Sequence, residues 1–122
     1  MRLNLDFNDS NTIIRGYRQG AVTVNDQEIQ HSVIVTPKQI LQWSPQNFEE
    51  LSTAHFIELQ TLEPEIVLFG TGSHQQFPRP EIINPLLTQG IGVETMNTAA
   101  ACRTYNIIVA EGRHVVAALL MI

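Results

Sequence analysis

Cysteine is almost absent from this chain of 122 residues: Cys102 is the only one. A single thiol excludes an intrachain disulfide and any metal site built from several cysteines. The four histidines do not supply such a site either, since they show no H-x-H or H-x-x-x-H spacing; they are His31, His55, His74 and His114. No G-x-S-x-G elbow of a serine hydrolase is present. We therefore expect no metal and no other cofactor.

Basic residues are also few. Seven lysines and arginines stand against twelve acidic residues, which gives a net charge of −5, and the basic residues form no run. Nucleic acids are bound through a concentrated positive surface that neutralises phosphates, so a nucleic-acid partner is not expected. Binding to an anionic membrane surface is disfavoured for the same reason.

Long apolar runs and targeting signals are missing as well. The longest apolar stretch covers residues 115–122, eight in all, whereas a membrane-spanning helix needs about 20. The N-terminal "MRLNLDFNDS" alternates apolar and polar residues and lacks the continuous apolar segment of a secretory signal. Since 43% of the residues are hydrophobic and 16% are charged, we expect a single cytoplasmic globular domain over residues 1–122, without direct membrane insertion.

The first 45 residues have the pattern of strands and turns. Leu3, Leu5 and Phe7 alternate with polar residues, which is the period of a half-buried strand. "TIIRGY", "AVTV", "EIQHSVIV" and "QILQW" predict further strands. Together they predict a meander of β-hairpins.

The remaining residues predict alternating helices and strands. Apolar residues at three-residue spacing over 48–62 indicate one broken helix or two short ones, with Ser52 as a cap. "EIVLFG", "IGVETM" and "HVVAALLMI" predict strands, the first of them covered on both faces. Between the first two, Pro80 suits the first turn of a helix. That helix either kinks at Pro85 or has its regular part begin at Asn84. A last helix over residues 98–111 is expected to be capped by Thr98. This order predicts an α/β sheet covered by helices, with an added layer of hairpins.

Cys102 lies on that last helix and has two possible roles. Thr98, Cys102, Tyr105 and Val109 share the face expected to meet the sheet. The helix N-terminus and Arg103 could lower the pKa of the thiol and make it a nucleophile, with His74 or His114 as its base. Alternatively the thiol fills space in the core, as most free cysteines do; three preceding alanines favour this close packing.

The other side chains of the helix have their own expected roles. Ala100, Arg103 and Ile107 fall on the opposite face, where an apolar residue indicates that a partner covers the surface. Buried Tyr105 and Asn106 are expected to hydrogen-bond neighbouring segments. Outside this stripe, an ion-pair cluster is predicted among Glu94, Glu111 and Arg113.

A glycine loop, "FGTGSHQQFPRP", follows the predicted buried strand. It lacks the third glycine of a dinucleotide fingerprint and the GKS or GKT of a phosphate loop, so a backbone role for its glycines is favoured. If this strand and "IGVETM" are parallel neighbours, their ends should meet at one sheet edge. The candidate cleft there is lined by Gly70, Thr71, Gly72, Ser73, His74, Met96, Asn97, Thr98 and Cys102.

Three stretches resemble a small protein family: "GTG" after the apolar strand, "GIGVETMNTAAACRTYN" and "EGRHVVAALL". The family includes mitochondrial complex I assembly factor three and an adipogenesis-associated Mth-type domain protein, besides short bacterial and archaeal members. The residues that carry the likeness are Met96, Thr98, Ala101, Cys102, Tyr105, Asn106, Glu111 and Arg113. The resemblance covers nearly the whole chain. It implies a three-layer α/β domain with a mixed central sheet and a smaller β layer, in a stand-alone, bacterial-type member.

The same resemblance implies no established enzymatic activity, because the mitochondrial relatives act by binding other proteins during assembly. We therefore expect a protein-binding or assembly-factor-like module that uses Ala100, Arg103 and Ile107 together with the adjacent glycine loop. The alternative is a small-molecule-binding protein or enzyme with its cleft between residues 70–74 and 97–102. A homo-oligomer is a further possibility.

Overall fold

The computed structural model describes residues 11–122. The predicted strand over residues 3–7 lies outside them. Eight strands are described: β1 (Ile14–Arg18), β2 (Ala21–Val24), β3 (Gln27–Ile29), β4 (Val33–Val35), β5 (Ile40–Gln42), β6 (Ile66–Gly70), β7 (Gly92–Met96) and β8 (Val115–Leu119). The helices are a 3-10 turn (Phe48–Glu50), α1 (Thr53–Gln60), α2 (Pro80–Leu87) and α3 (Thr98–Ala110).

Five strands form a mixed central sheet in the order β5-β4-β8-β6-β7. β6 runs parallel to both β7 and β8, whereas β4 is antiparallel to β8 and to β5. The last strand of the chain thus occupies the middle of the sheet. All five residues of β8 are buried, because helices and loops cover both faces, and this explains its uninterrupted apolar sequence.

The opening strands form two structures rather than one meander, which corrects the sequence prediction. β1, β2 and β3 make a separate three-stranded antiparallel sheet, while the β4–β5 hairpin belongs to the central sheet. The segment "EIQHSVIV" was predicted as one strand, but it breaks between β3 and β4. Alternation does not reveal the break, since Ile29 and Val33 are four residues apart and keep the same parity.

Two apolar cores lie on opposite faces of the central sheet. On one face Leu68, Ala117 and Val33 pack with α3 and the small sheet. On the other face Val67 and Phe69 pack with α1, α2 and the buried Trp43. The molecule is therefore a three-layer α/β fold with a mixed central sheet and an added β layer, as predicted.

The helix ends confirm some predicted caps and correct others. Ser52 caps α1, and its backbone N–H donates to His55 Nδ1 at 3.0 Å, the position a glutamate or glutamine takes in a capping box. α2 begins at Pro80, as predicted, and continues through Pro85, so the alternative start at Asn84 is wrong. The cap of α3 is Asn97 instead of Thr98: its side-chain oxygen accepts the N–H of Ala100 at 2.8 Å.

Candidate functional site

The glycine loop and the start of α3 meet directly, as the parallel pairing of β6 and β7 requires. Gly70 lies opposite Met96 in the register. The Thr71 N–H donates to the Met96 carbonyl at 2.9 Å, and the Thr98 N–H donates to the Gly72 carbonyl at 2.8 Å. The backbones of the two connections are therefore joined.

The side chain of Thr98 fastens this contact. It is fully buried, and its hydroxyl accepts the Gly72 N–H at 2.8 Å while donating to the Leu120 carbonyl at 2.9 Å. Thr98 thus links the loop, the helix and the residue after β8, and all these buried polar groups have partners. We call Gly70, Gly72 and Thr98 the glycine junction.

Protein atoms fill the glycine junction. A Cβ placed on Gly70 would come within 2.9 Å of both Thr98 Oγ1 and Leu119 Cδ2. A Cβ on Gly72, whose φ is +101°, would lie 2.5 Å from Ile122 Cγ1. Gly70 therefore allows close approach of α3 and leaves no opening between loop and helix at this point, while Gly72 allows the same close approach of Ile122.

The remaining residues of the predicted cleft surround the junction. Thr71 is buried, and its hydroxyl donates to the His74 carbonyl at 2.6 Å. Ser73 and His74 are exposed, and the Ser73 hydroxyl lies 2.9 Å from His74 Nδ1. Met96 and Asn97 are half-buried.

Cys102 lines a different space, formed with the small sheet. A cavity of about 260 Å³ lies between β1 and α3, and we call it the β1 cavity. Its lining residues are Ile14, Arg15, Gly16, Tyr17, Ala99, Cys102, Arg103 and Asn106. Neither His74 nor His114, the histidines considered as a base, belongs to this lining.

The thiol of Cys102 is held in its neutral form. The residue is only 4% exposed, and burial raises the pKa of the thiol from its ordinary 9.0 to about 12, although the charge of Arg103 acts in the opposite direction. A nucleophilic cysteine needs a lowered pKa. The geometry therefore favours the space-filling role of Cys102 over the catalytic one.

Tyr105 and Asn106 attach the small sheet to α3, which confirms their predicted role. The Tyr105 hydroxyl donates to the Thr12 carbonyl at 2.9 Å. The Asn106 amide pairs with both backbone groups of Ile14: its oxygen accepts the N–H at 3.0 Å and its nitrogen donates to the carbonyl at 2.7 Å. The amide thereby makes the two backbone hydrogen bonds with β1 that a neighbouring strand would make.

The outward face of α3 carries the predicted partner residues. Ile107 is 61% exposed, Arg103 is exposed, and Ala100 is half-buried. In the glycine loop, Phe77 is 73% exposed and was not singled out by the sequence pattern. Arg15 and Tyr17 were also missed, because their meeting with α3 depends on how the small sheet docks.

The predicted ion-pair cluster is wrong in its partners. Arg113 pairs with Glu65 at 3.3 Å, not with Glu94 or Glu111. Glu65 precedes β6 and Arg113 lies just before β8; since these strands are parallel neighbours, the two residues reach the same sheet edge. The N–H of His114 and then the Arg113 side chain lower the pKa of the Glu65 carboxyl.

Residues 11–122 contain no group of three His, Cys, Asp or Glu side chains placed to hold a metal ion. None of the helices formed by these residues has the length and apolar character needed to cross a membrane.

Comparison with known proteins gives matches over most of the chain. The model of a protein family of unknown function, DUF498/DUF598, matches residues 14–120. The "13 kDa major membrane protein" of Francisella tularensis is 34% identical over 101 residues, which are 81% of this chain and 82% of that protein. The bovine (Bos taurus) NADH dehydrogenase [ubiquinone] 1 alpha subcomplex assembly factor 3 is 30% identical over 109 residues, 88% of this chain but only 59% of the assembly factor.

A solved structure agrees with these matches. The solution structure of a Mth938-like domain from Bordetella pertussis has a TM-score of 0.80 and 32% identity, covering 90% of this chain and 85% of that one.

Proposed function

The chain belongs to the DUF498/DUF598 family of proteins of unknown function, and from this premise we propose that it is a protein-binding module of the assembly-factor type. Several relatives are named as assembly factors of NADH dehydrogenase, and an assembly factor acts through contacts with other proteins. This chain spans about three fifths of their length: 59% for the bovine protein. The proposal therefore concerns the shared domain only. We take this domain to be a single unit over residues 1–122, and its cytoplasmic location stays a prediction.

The exposure of Ile107 carries the proposal. The side chain is 61% exposed in a helix whose other faces pack against the central sheet and the small sheet. Ala100, Arg103 and Ile107 are spaced by three and four residues, so they follow one another along the open face. An isoleucine beside an arginine provides an apolar contact next to a charge-assisted one, a combination suited to a protein surface.

The test is site-specific crosslinking in the native host, with a photoreactive residue at position 107. Position 57 on α1 gives a matched control, since Ile57 is also exposed, at 46%. We expect an adduct with a different protein at 107, none at 57, and loss of the adduct when Arg103→Glu is added.

Two results would overturn this proposal. Equal adducts at both positions would mean that apolar exposure alone captures proteins. An adduct of twice the chain mass would mean that a second copy covers α3, which is the homo-oligomer alternative.

The enzyme alternative has less support. The space between the glycine loop and α3 is filled at Gly70, Ile122 fills the space beside Gly72, and burial keeps the Cys102 thiol protonated. Slow reaction of Cys102 with a thiol reagent in the folded state is therefore expected, together with no thermal shift from a metabolite panel.

A further inference from the structure

We propose that the β1 cavity binds a carboxylate group, with Arg15, Arg103 and the Tyr17 hydroxyl as its donors. Two sources share this chemistry, a small free acid and an acidic side chain of a polypeptide, and the two arms of the experiment below distinguish them. This inference concerns a different ligand from the proposed function, although Arg103 belongs to both: its side chain is exposed on α3 and also lines the β1 cavity.

The charges in the cavity are the first reason. Its lining includes two arginines and no aspartate or glutamate. The chain has seven basic and twelve acidic residues, so carboxylates for pairing are abundant. Yet among residues 11–122 the described ion pairs use Arg18 and Arg113, and neither Arg15 nor Arg103 has one. Guanidinium groups match carboxylates with two parallel hydrogen bonds.

The Tyr17 hydroxyl is the second reason. Its oxygen is shielded from solvent and makes no hydrogen bond with any described residue. A buried hydroxyl without a partner is costly, so each such group in a folded protein calls for an explanation. Burial, and then the nearby Cys102, raise the pKa of Tyr17, which keeps its proton available for donation.

The backbone of β1 is the third reason. Ile14 pairs with Val24 and Gly16 pairs with Thr23, so Arg15 is the extra residue of a β-bulge. A bulge interrupts the strict alternation of a strand and redirects a side chain. The Asn106 amide holds both backbone groups of Ile14, one residue away. Arg103 lies three residues before Asn106, almost one helical turn. The Asn106 amide therefore holds the bulge at Arg15 beside the helical turn that carries Arg103.

The size of the cavity and the neutral thiol in its lining define the ligand. At about 260 Å³ it is smaller than the pockets of drug-sized ligands, which begin at about 300 Å³, so it fits a small acid or one side chain. Cys102 in the lining is a neutral thiol because burial raises its pKa to about 12, and it does not repel an anion.

The experiment is a titration of the full chain followed by amide chemical shifts in ¹⁵N-labelled protein. One arm uses sodium succinate, and a second uses an uncharged-ended peptide, acetyl-Gly-Glu-Gly-amide; sodium chloride at matched ionic strength and the Gln version of the peptide are the controls. We expect saturable shifts for residues of β1 and the first turns of α3 in at least one arm. The tighter arm identifies the source of the carboxylate.

Variants decide whether the donors are the ones named. Arg15→Gln and Arg103→Gln should each weaken binding about tenfold, the effect of losing a charge-assisted hydrogen bond, and Tyr17→Phe should weaken it less. Arg18→Gln is the matched control, because Arg18 lies on the same strand but pairs with Glu28 at 2.9 Å. If Arg103→Gln does not fold, Arg15→Gln and Tyr17→Phe still give the answer.

Three outcomes would overturn the inference: shifts that never saturate, shifts equal to those in sodium chloride, or binding unchanged in both Arg15→Gln and Tyr17→Phe. None of them bears on the partner surface of α3, since no protein partner enters the titration. In the same way, a negative crosslinking result leaves the cavity unaffected.

Discussion

The glycine junction and the β1 cavity are two contacts of the same helix, and they are built in opposite ways. At the junction, backbone meets backbone, and the side chain of Thr98 satisfies the remaining polar groups. At the cavity, α3 reaches the small sheet through long side chains, and Tyr105 and Asn106 make the hydrogen bonds. The first contact leaves no space for an added methyl group, whereas the second leaves about 260 Å³.

This difference shows that a sequence motif and a space for a ligand need not coincide. Glycines and a threonine at strand ends look like a ligand loop, yet here they permit tight packing. A strand docked through side chains has no such sequence signal, yet it places Arg15 and Arg103, which form no ion pair within residues 11–122, at one cavity. Spaces for ligands arise where elements meet at a distance set by side chains, since close backbone packing excludes them.

The largest effect on stability is expected when one methyl group is added at the glycine junction, and the same change at the β1 cavity is its control. Gly70→Ala should lower the free energy of unfolding by about 3 kcal/mol, the upper range for overpacking, because its Cβ meets Thr98 and Leu119 at 2.9 Å. Gly16→Ala, in the cavity lining, has nothing within 4 Å and should change it by about 0.5 kcal/mol or less. Urea denaturation of the two variants measures both values. Equal losses would contradict the comparison.

The next effect concerns the hydroxyl at the junction. Thr98→Val keeps the shape but leaves the Gly72 N–H and the Leu120 carbonyl without their partner, and should cost about 2 kcal/mol. Thr98→Ser keeps the hydroxyl and should recover most of this loss. Hydrogen exchange of the Gly72 amide provides a local readout: it should be faster in the valine variant alone. Unchanged exchange there would show that the bond is not stabilising.

A smaller effect is expected at the cavity side of the helix. Asn106→Ala removes both hydrogen bonds to Ile14 and should lower the free energy of unfolding by about 1.5 kcal/mol. The loss is smaller than at a fully buried site, because water can reach this half-buried site and replace the lost partner. The loss should appear as faster hydrogen exchange in β1 and β2, with β6 and β8 unchanged. Uniform acceleration through the whole molecule would mean that the small sheet does not open separately.

The smallest effect is a pH dependence from Cys102. Its pKa is raised in the folded state from 9.0 to about 12, so above pH 9 the unfolded chain loses a proton that the folded chain retains. The associated stability is complete below pH 9 and is lost as the pH rises toward 12, with about 0.8 kcal/mol gone at pH 9.5. Comparing denaturation between pH 7 and 9.5 in wild type and Cys102→Ala isolates this contribution. An equal slope in both proteins would contradict the burial of the thiol.

Much of the fold follows from sequence pattern. Uninterrupted apolar runs identified β6 and β8 as strands, the three-residue spacing placed α1, and the helical stripe put Tyr105 inside and Ile107 outside. Family resemblance supplied the layer order. The strand and helix features are local or periodic, so the spacing of apolar residues reveals them.

The order of the strands, the break between β3 and β4, and the ion-pair partner of Arg113 came only from tertiary structure. The same holds for the β1 cavity: Arg15 and Tyr17 are separated from Arg103 by more than eighty residues of chain. Sequence alone determined which residues turn inward on each element, because burial follows periodicity. Which inward faces meet, and how closely, was decided by the docking of two sheets on one helix, since contacts between distant segments have no local signature.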